Sequence, residues 1–154
     1  MLKIGESGEA CKKGSKKLLG KCFWRIFLQN RTISVNSAGT YINMQDAYVV
    51  EKGDKVGTWS EIGYTGPGSV WSGHSKSAIF QYNEGSDTDG KWTVQTLQKL
   101  NDCGKQTNAW KLGAKLDANN STTGQSNVLY KADGVSACYD LTPSFKQLTS
   151  GRNY

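Results

Sequence analysis

The sequence predicts an α+β fold, one N-terminal amphipathic helix packed on a four- to five-stranded antiparallel sheet, from three observations. Residues 37–52 carry a helical apolar stripe, residues 109–116 alternate apolar with polar in the manner of a strand, and Gly-, Asn- and Ser-rich turns separate the short apolar runs that follow the stripe.

The helix comes first. Ala38, Tyr41, Ile42, Gln45, Ala47, Tyr48 and Val49 recur near i, i+3, i+4, i+7 and i+11, and Asn43, Asp46 and Glu51 point elsewhere. Tyr41, Ile42, Tyr48 and Val49 are therefore the face expected against the sheet. Asn36 or Ser37 is a candidate N-cap, and Gly53 a candidate left-handed stop. Val56, Trp59, Ile62 and Tyr64, interrupted by Gly57 and Gly63, read as a kinked first strand. Residues 66–77, GPGSVWSGHSKS, read as a loop centred on Trp71 and His74. Further strands are expected at Ala78–Tyr82, within Lys91–Leu100, at Ala109–Leu116 and at Val128–Lys131. In Ala109–Leu116, Trp110, Leu112, Ala114 and Leu116 share one face and Lys111 and Lys115 the other, which argues for an antiparallel sheet with one wet side.

Composition bounds the function. A chain of 154 residues suits a single domain, and its mean hydropathy of -0.57 with 18 glycines suits a turn-rich body. The net charge of +6 resides in residues 1–31, where eight Lys/Arg face only Glu6 and Glu9; the rest carries eleven basic and eleven acidic side chains. A neutral body argues against a nucleic-acid reader, and residues 1–36 read as a basic arm, altered or non-native, preceding a globular domain at 37–154. The segment KKLLGKCFWRIFLQ imitates a secretory signal poorly, because Lys21 and Arg25 interrupt its apolar part. As a working arm it would bind an acidic lipid surface or nucleic acid.

Chemistry is sparse. His74 is the single histidine, and GHS in a Gly/Ser loop lacks the strand–turn–helix setting of a nucleophile elbow, so a solvated loop histidine is the expectation. The pairs Asp87/Asp89 and Asp46/Glu51 sit in polar sequence that seldom raises a carboxyl pKa, and no phosphate-cradling glycine motif occurs. The expectation is a non-enzyme. SDTDG resembles half of a calcium loop, with Asp87, Asp89 and Glu84 supplying oxygens around Gly90, but an ordinary hairpin turn uses the same residues. Calcium is the one cofactor considered, and none is favoured.

Cys103 and Cys138 have neither CxxC nor His spacing, which suits a staple better than zinc; two free buried thiols are the alternative, and Cys11 with Cys22 is a second candidate pair. Five Trp and seven Tyr in a neutral body could furnish platforms for sugar rings. Trp71 is the candidate ligand-binding aromatic; Trp59, Trp92 and Trp110 lie on strand-like patterns and read as core.

Several phrases carry a family likeness. TYINMQDAYVVEKGDKVGTWSEIGYTGPGS resembles the region of type IV pilins and type II secretion pseudopilins where the long N-terminal helix leads into the αβ loop and first strand, through Gln45, Ala47, Tyr48, Glu51 and Gly53. LNDCGKQTNAWKL and SACYDLTPSF look like the paired-cysteine region of the same proteins, and W-x-x-IGYT-x-PG with C-x-x-LTP-x-F is most similar to pilin-type proteins of Fibrobacter-like bacteria. The likeness covers about residues 37–148. It implies a helix across an antiparallel sheet, a C-terminal loop pinned through Cys103 and Cys138, export through the membrane and periplasm, and assembly with like subunits into an extracellular or cell-surface filament. The family's N-terminal apolar helix is expected to be absent or altered here: Gly20 and Phe23 stand near each other, but Phe27 occupies the fifth position, where the family has glutamate. Two rival expectations are a carbohydrate-binding module acting on a polysaccharide surface, and a membrane or nucleic-acid binder working through the basic arm.

Overall fold

The structure, a computed structural model, describes residues 35–52, 55–118 and 127–154. The basic arm with Cys11 and Cys22, the helix stop at Gly53 and most of the polar loop after Asp117 lie outside the described residues.

Residues 35–52 (α1) are helical. Asn36 and Ser37 are therefore part of the helix rather than its cap. Ala38, Tyr41, Ile42, Gln45 and Val49 are buried, Tyr48 packs at the margin of the core, and Ala47 is exposed. The stripe thus keeps its sequence-based position, with Ala47 alone of its members turned out to solvent.

The segment expected to be the first strand is instead a short helix, α2 (Trp59–Ile62). The aromatic and β-branched residues that favour a pleat lose to a local capping box: Glu61 N–H donates to the Thr58 hydroxyl, and the Glu61 carboxylate accepts the Thr58 N–H at 2.8 Å. The Lys55 ammonium at 2.6 Å, and after it the Thr58 N–H, hold the Glu61 carboxyl below its ordinary pKa.

The sheet has six strands in simple meander order, all neighbours antiparallel: β1 (Ser69–Trp71), β2 (His74–Lys76), β3 (Phe80–Glu84), β4 (Trp92–Thr96), β5 (Trp110–Leu116) and β6 (Val128–Gly134). The count exceeds the expected four or five because residues 66–77 are not a loop. Trp71 and His74 pair across a turn of Ser72 and Gly73, the glycine supplying a φ of 67°. Strand β4 ends at Thr96, which removes the conflict that Leu97 and Leu100 posed for a period of two.

The core lies on one face. Tyr82, Val94 and Trp110 stand opposite one another on β3, β4 and β5, Phe80, Trp92, Leu112 and Tyr130 flank them, and α1 closes over the layer. Each buried indole N–H finds an oxygen: Trp59 on Lys91 O (3.2 Å), Trp92 on the Tyr64 hydroxyl (2.9 Å) and Trp110 on Thr142 Oγ1 (2.6 Å). The Ser37 and Tyr64 hydroxyls are also hydrogen-bonded, tying α1 to the segment after α2.

After β6 the chain forms α3 (Ser136–Tyr139) and a 3-10 turn at Lys146–Thr149. It then returns along β6, where the Tyr130 N–H donates to Arg152 O at 2.7 Å and Tyr130 bridges to Asn153. The return is clamped to α1. Arg152 meets Asp46 in a two-pronged ion pair at 2.9 and 2.8 Å, and the Tyr130 hydroxyl faces Asp46 Oδ1 at 2.7 Å and Ile42 O at 3.1 Å. Burial first, then the Asp46 carboxylate, pushes the Tyr130 pKa far above its usual value. The clamp is partly exposed, so Arg152→Ala should cost about 1 kcal/mol, read as a lower urea midpoint with unchanged slope.

Candidate functional site

Cys103, in the loop between β4 and β5, and Cys138, in α3, form a disulfide across 35 positions. Both cysteines are fully buried. The bond fixes the loop onto the C-terminal segment beside Leu100, whose N–H and C=O pair with Cys103 at 2.8 and 2.9 Å.

The calcium candidates are committed elsewhere. Glu84 points to the core side, where its Oε1 accepts the Trp59 N–H at 2.7 Å. Asp89 accepts the Tyr154 hydroxyl at 2.8 Å and faces the Lys131 ammonium at 3.5 Å; these two contacts, the tyrosine's first, hold its carboxyl below the ordinary range. Asp87 precedes a 3-10 turn, Thr88–Gly90, without a side-chain cap bond. Among the described residues no three His, Cys, Asp or Glu side chains gather as a metal site requires.

The SDTDG turn has a structural task instead. It folds back over the wet side of β5, and Gly113 leaves the room: a Cβ there would stand 2.8 Å from the Thr88 carbonyl and Asp89 Cα and 2.2 Å from the Tyr154 hydroxyl. Gly113→Val should displace the turn and Tyr154 together, costing about 2 kcal/mol and measured by thermal melting.

A cleft of about 470 Å³ opens between α1 and the β3–β4 turn, lined by Tyr41, Val56, Thr58, Glu84 and Lys91. Its polar groups serve the fold. Glu84 holds Trp59, Lys91 Nζ donates to Ser86 O at 2.9 Å, and the Tyr41 hydroxyl accepts Gln45 Nε2 at 3.0 Å.

The other feature is the wet face of the sheet. The register aligns one residue from every strand in a single row: Trp71, His74, Asn83, Thr93, Lys111 and Asp133. Directly opposed residues share a face, and this row lies on the side away from Tyr82, Val94 and Trp110. Trp71 is 44% exposed and its ring stacks on His74 at 5.6 Å between centroids. Asn83 Oδ1 receives two donors, His74 Nδ1 and Gln81 Nε2, both at 2.8 Å. The Thr93 hydroxyl donates to Asn83 O at 3.2 Å, and Lys111 pairs with Asp133 at 3.9 Å.

Of the residues singled out from sequence, the structure brings Cys103 to Cys138, places Trp71 in the open, and buries Tyr41, Ile42 and Val49 with Tyr48 at their edge. It does not assemble Asp87, Asp89 and Glu84. His74, expected in a solvated loop, belongs to a strand and is half-buried. Gln81 and Asn83 went unnoticed in the sequence, although they are the off-core positions of FQYNE, where Phe80 and Tyr82 face in.

Comparison of the chain with protein-family models, with curated proteins and with solved structures gave no match.

Proposed function

We propose that the chain is a structural subunit of an extracellular filament or secretion pseudopilus, of the pilin or pseudopilin type. The observation that carries this reading is the layout of the described residues: an amphipathic helix, residues 35–52, seated on an antiparallel meander whose C-terminal segment is pinned by Cys103–Cys138. The resemblance implies the same coarse layout, a helix with an antiparallel sheet and a pinned C-terminal loop, though its first strand at Val56–Tyr64 is here α2 and the sheet has six strands. A disulfide between two buried cysteines fits an oxidising compartment, such as the periplasm or cell exterior.

In this reading the partners are like subunits, and the membrane matters only before assembly. Among the described residues no helix is long and apolar enough to cross a membrane. Gold-labelled antibody against residues 55–118 should decorate surface filaments on the native cells. Labelling confined to the cytoplasm would reject the proposal, as would reduced Cys103 and Cys138 in protein taken directly from cells. A binder acting through the basic arm predicts a different result, adhesion that weakens steeply with salt.

A further inference from the structure

We infer that the wet face of the sheet, from Trp71 to Thr93, is a binding platform for an uncharged polysaccharide chain. The argument begins with the hydrogen bonds already made within the row. Asn83 Oδ1 is occupied by His74 Nδ1 and Gln81 Nε2, which fixes all three side chains in orientation. With those bonds made, the Asn83 amide N–H groups, the Gln81 carbonyl and the His74 Nε2 remain for a ligand. Donors and acceptors thus alternate over a few ångströms, the pattern that neighbouring sugar hydroxyls, each both donor and acceptor, can satisfy.

Beside this polar group stands the stacked pair of Trp71 and His74. Trp71 is on the outermost strand and is one of the few large apolar side chains left open among the described residues. An indole at the end of a polar row offers an apolar surface for the C–H face of a pyranose while the amides take its hydroxyls. Neighbouring strands lie about 4.8 Å apart, so the four groups from Trp71 to Thr93 span roughly 14 Å, enough for more than one sugar ring along a straight chain. The row is bounded on the β5 side by the turn that covers Gly113.

Charge selects the ligand class. Lys111 is balanced by Asp133 at the far end of the row, and the chain beyond residue 31 carries equal numbers of acidic and basic side chains. Lys76, opposite Gln81 on the same face, adds one cation at the Trp71 end, so an acidic polymer would meet a single charge beside the platform rather than a basic track. A second copy of the chain joining at β1 would have only three residues of strand to pair with.

The test uses the full chain with microcrystalline cellulose, insoluble chitin and xylan as probes, and cellohexaose in calorimetry. The expected result is retention on at least one of the three polymers, weakened about tenfold in Trp71→Ala, severalfold in Asn83→Ala, and restored to within about threefold in Trp71→Phe. Retention should persist in about 0.5 M salt. Val50→Ala, an exposed apolar position on α1, should bind as the unaltered chain does. The inference fails if none of the polymers retains the protein, if Trp71→Ala binds as well as the unaltered chain, or if binding disappears in salt. It also fails if Trp71→Ala abolishes self-association while leaving polymer binding intact. None of these outcomes touches the filament proposal, whose readout is where the protein sits on the cell.

Discussion

Cys103→Ser with Cys138→Ser should lower the stability of the domain by about 4 kcal/mol, since closing a loop of 35 residues removes that much denatured-state freedom in the chain-entropy model. The structure adds a second reason to expect a large effect. Both sulfurs are fully buried and the loop from Leu100 to Ala109 has only short pairings of its own, so releasing it exposes Leu100 and loosens α3. Thermal melts of the double variant and the unaltered chain, both without reductant, measure the difference; equal melting temperatures would show that the bond does not form in solution. The double replacement avoids the mispairing that a single leftover thiol invites.

Gln45→Leu should be nearly as costly, about 3 kcal/mol, although it exchanges a polar side chain for an apolar one of similar size in a fully buried place. Gln45 behaves as a fragment of strand within a helix. Its Oε1 accepts the Gly57 N–H at 2.8 Å and its Nε2 donates to Gly57 O at 2.9 Å, while also donating to the Tyr41 hydroxyl at 3.0 Å. Leucine would leave a buried backbone N–H and C=O without partners. Gly57 fits this place because a Cβ there would approach Tyr48 and Ile62 to within 2.9 Å. Chemical denaturation measures the loss, and Gln45→Glu, which sets a buried carboxylate oxygen against the Gly57 carbonyl, should be at least as costly as leucine. Full stability in Gln45→Leu would mean that the segment after α1 is held by other means.

These two sites also show what could be read from the sequence. Cys103 and Cys138 were identifiable because the spacing excluded the common alternatives, and Gln45 appeared within the apolar stripe, where a polar residue signals a buried partner. The partner itself was not legible, since Gly57 lies beyond the end of the helix and the pairing is set in three dimensions. Strand β5 was plain because Lys111 and Lys115 mark its wet side. The hairpin of β1 and β2 was missed because three-residue strands with every residue of β1 exposed show no alternation, although the Ser72–Gly73 turn signal was present. At α2 two local signals competed: Trp59, Ile62 and Tyr64 favour a pleat, and Thr58 with Glu61 favours a capped helix. The capping box prevailed because Tyr64 and Trp59 can reach the core from a single helical turn.

The wet-face row was invisible for a different reason. Asn83, Gln81 and Thr93 are ordinary solvent-side choices one at a time, and only the pairing register brings them beside Trp71.

The order of the strands has a kinetic corollary. Because every strand neighbours the next in the chain, the sheet can zip together hairpin by hairpin, closing only short loops at each step. The bonds from Tyr130 to Ile42 and from Arg152 to Asp46 bridge 88 and 106 positions, and they become affordable only once the meander has brought its last strand alongside. Helix α1 can therefore be held early only to the segment around α2, through Gln45–Gly57 and Ser37–Tyr64, and its seat against β6 would stay unfilled in a nascent chain until Tyr130 and Arg152 had been made.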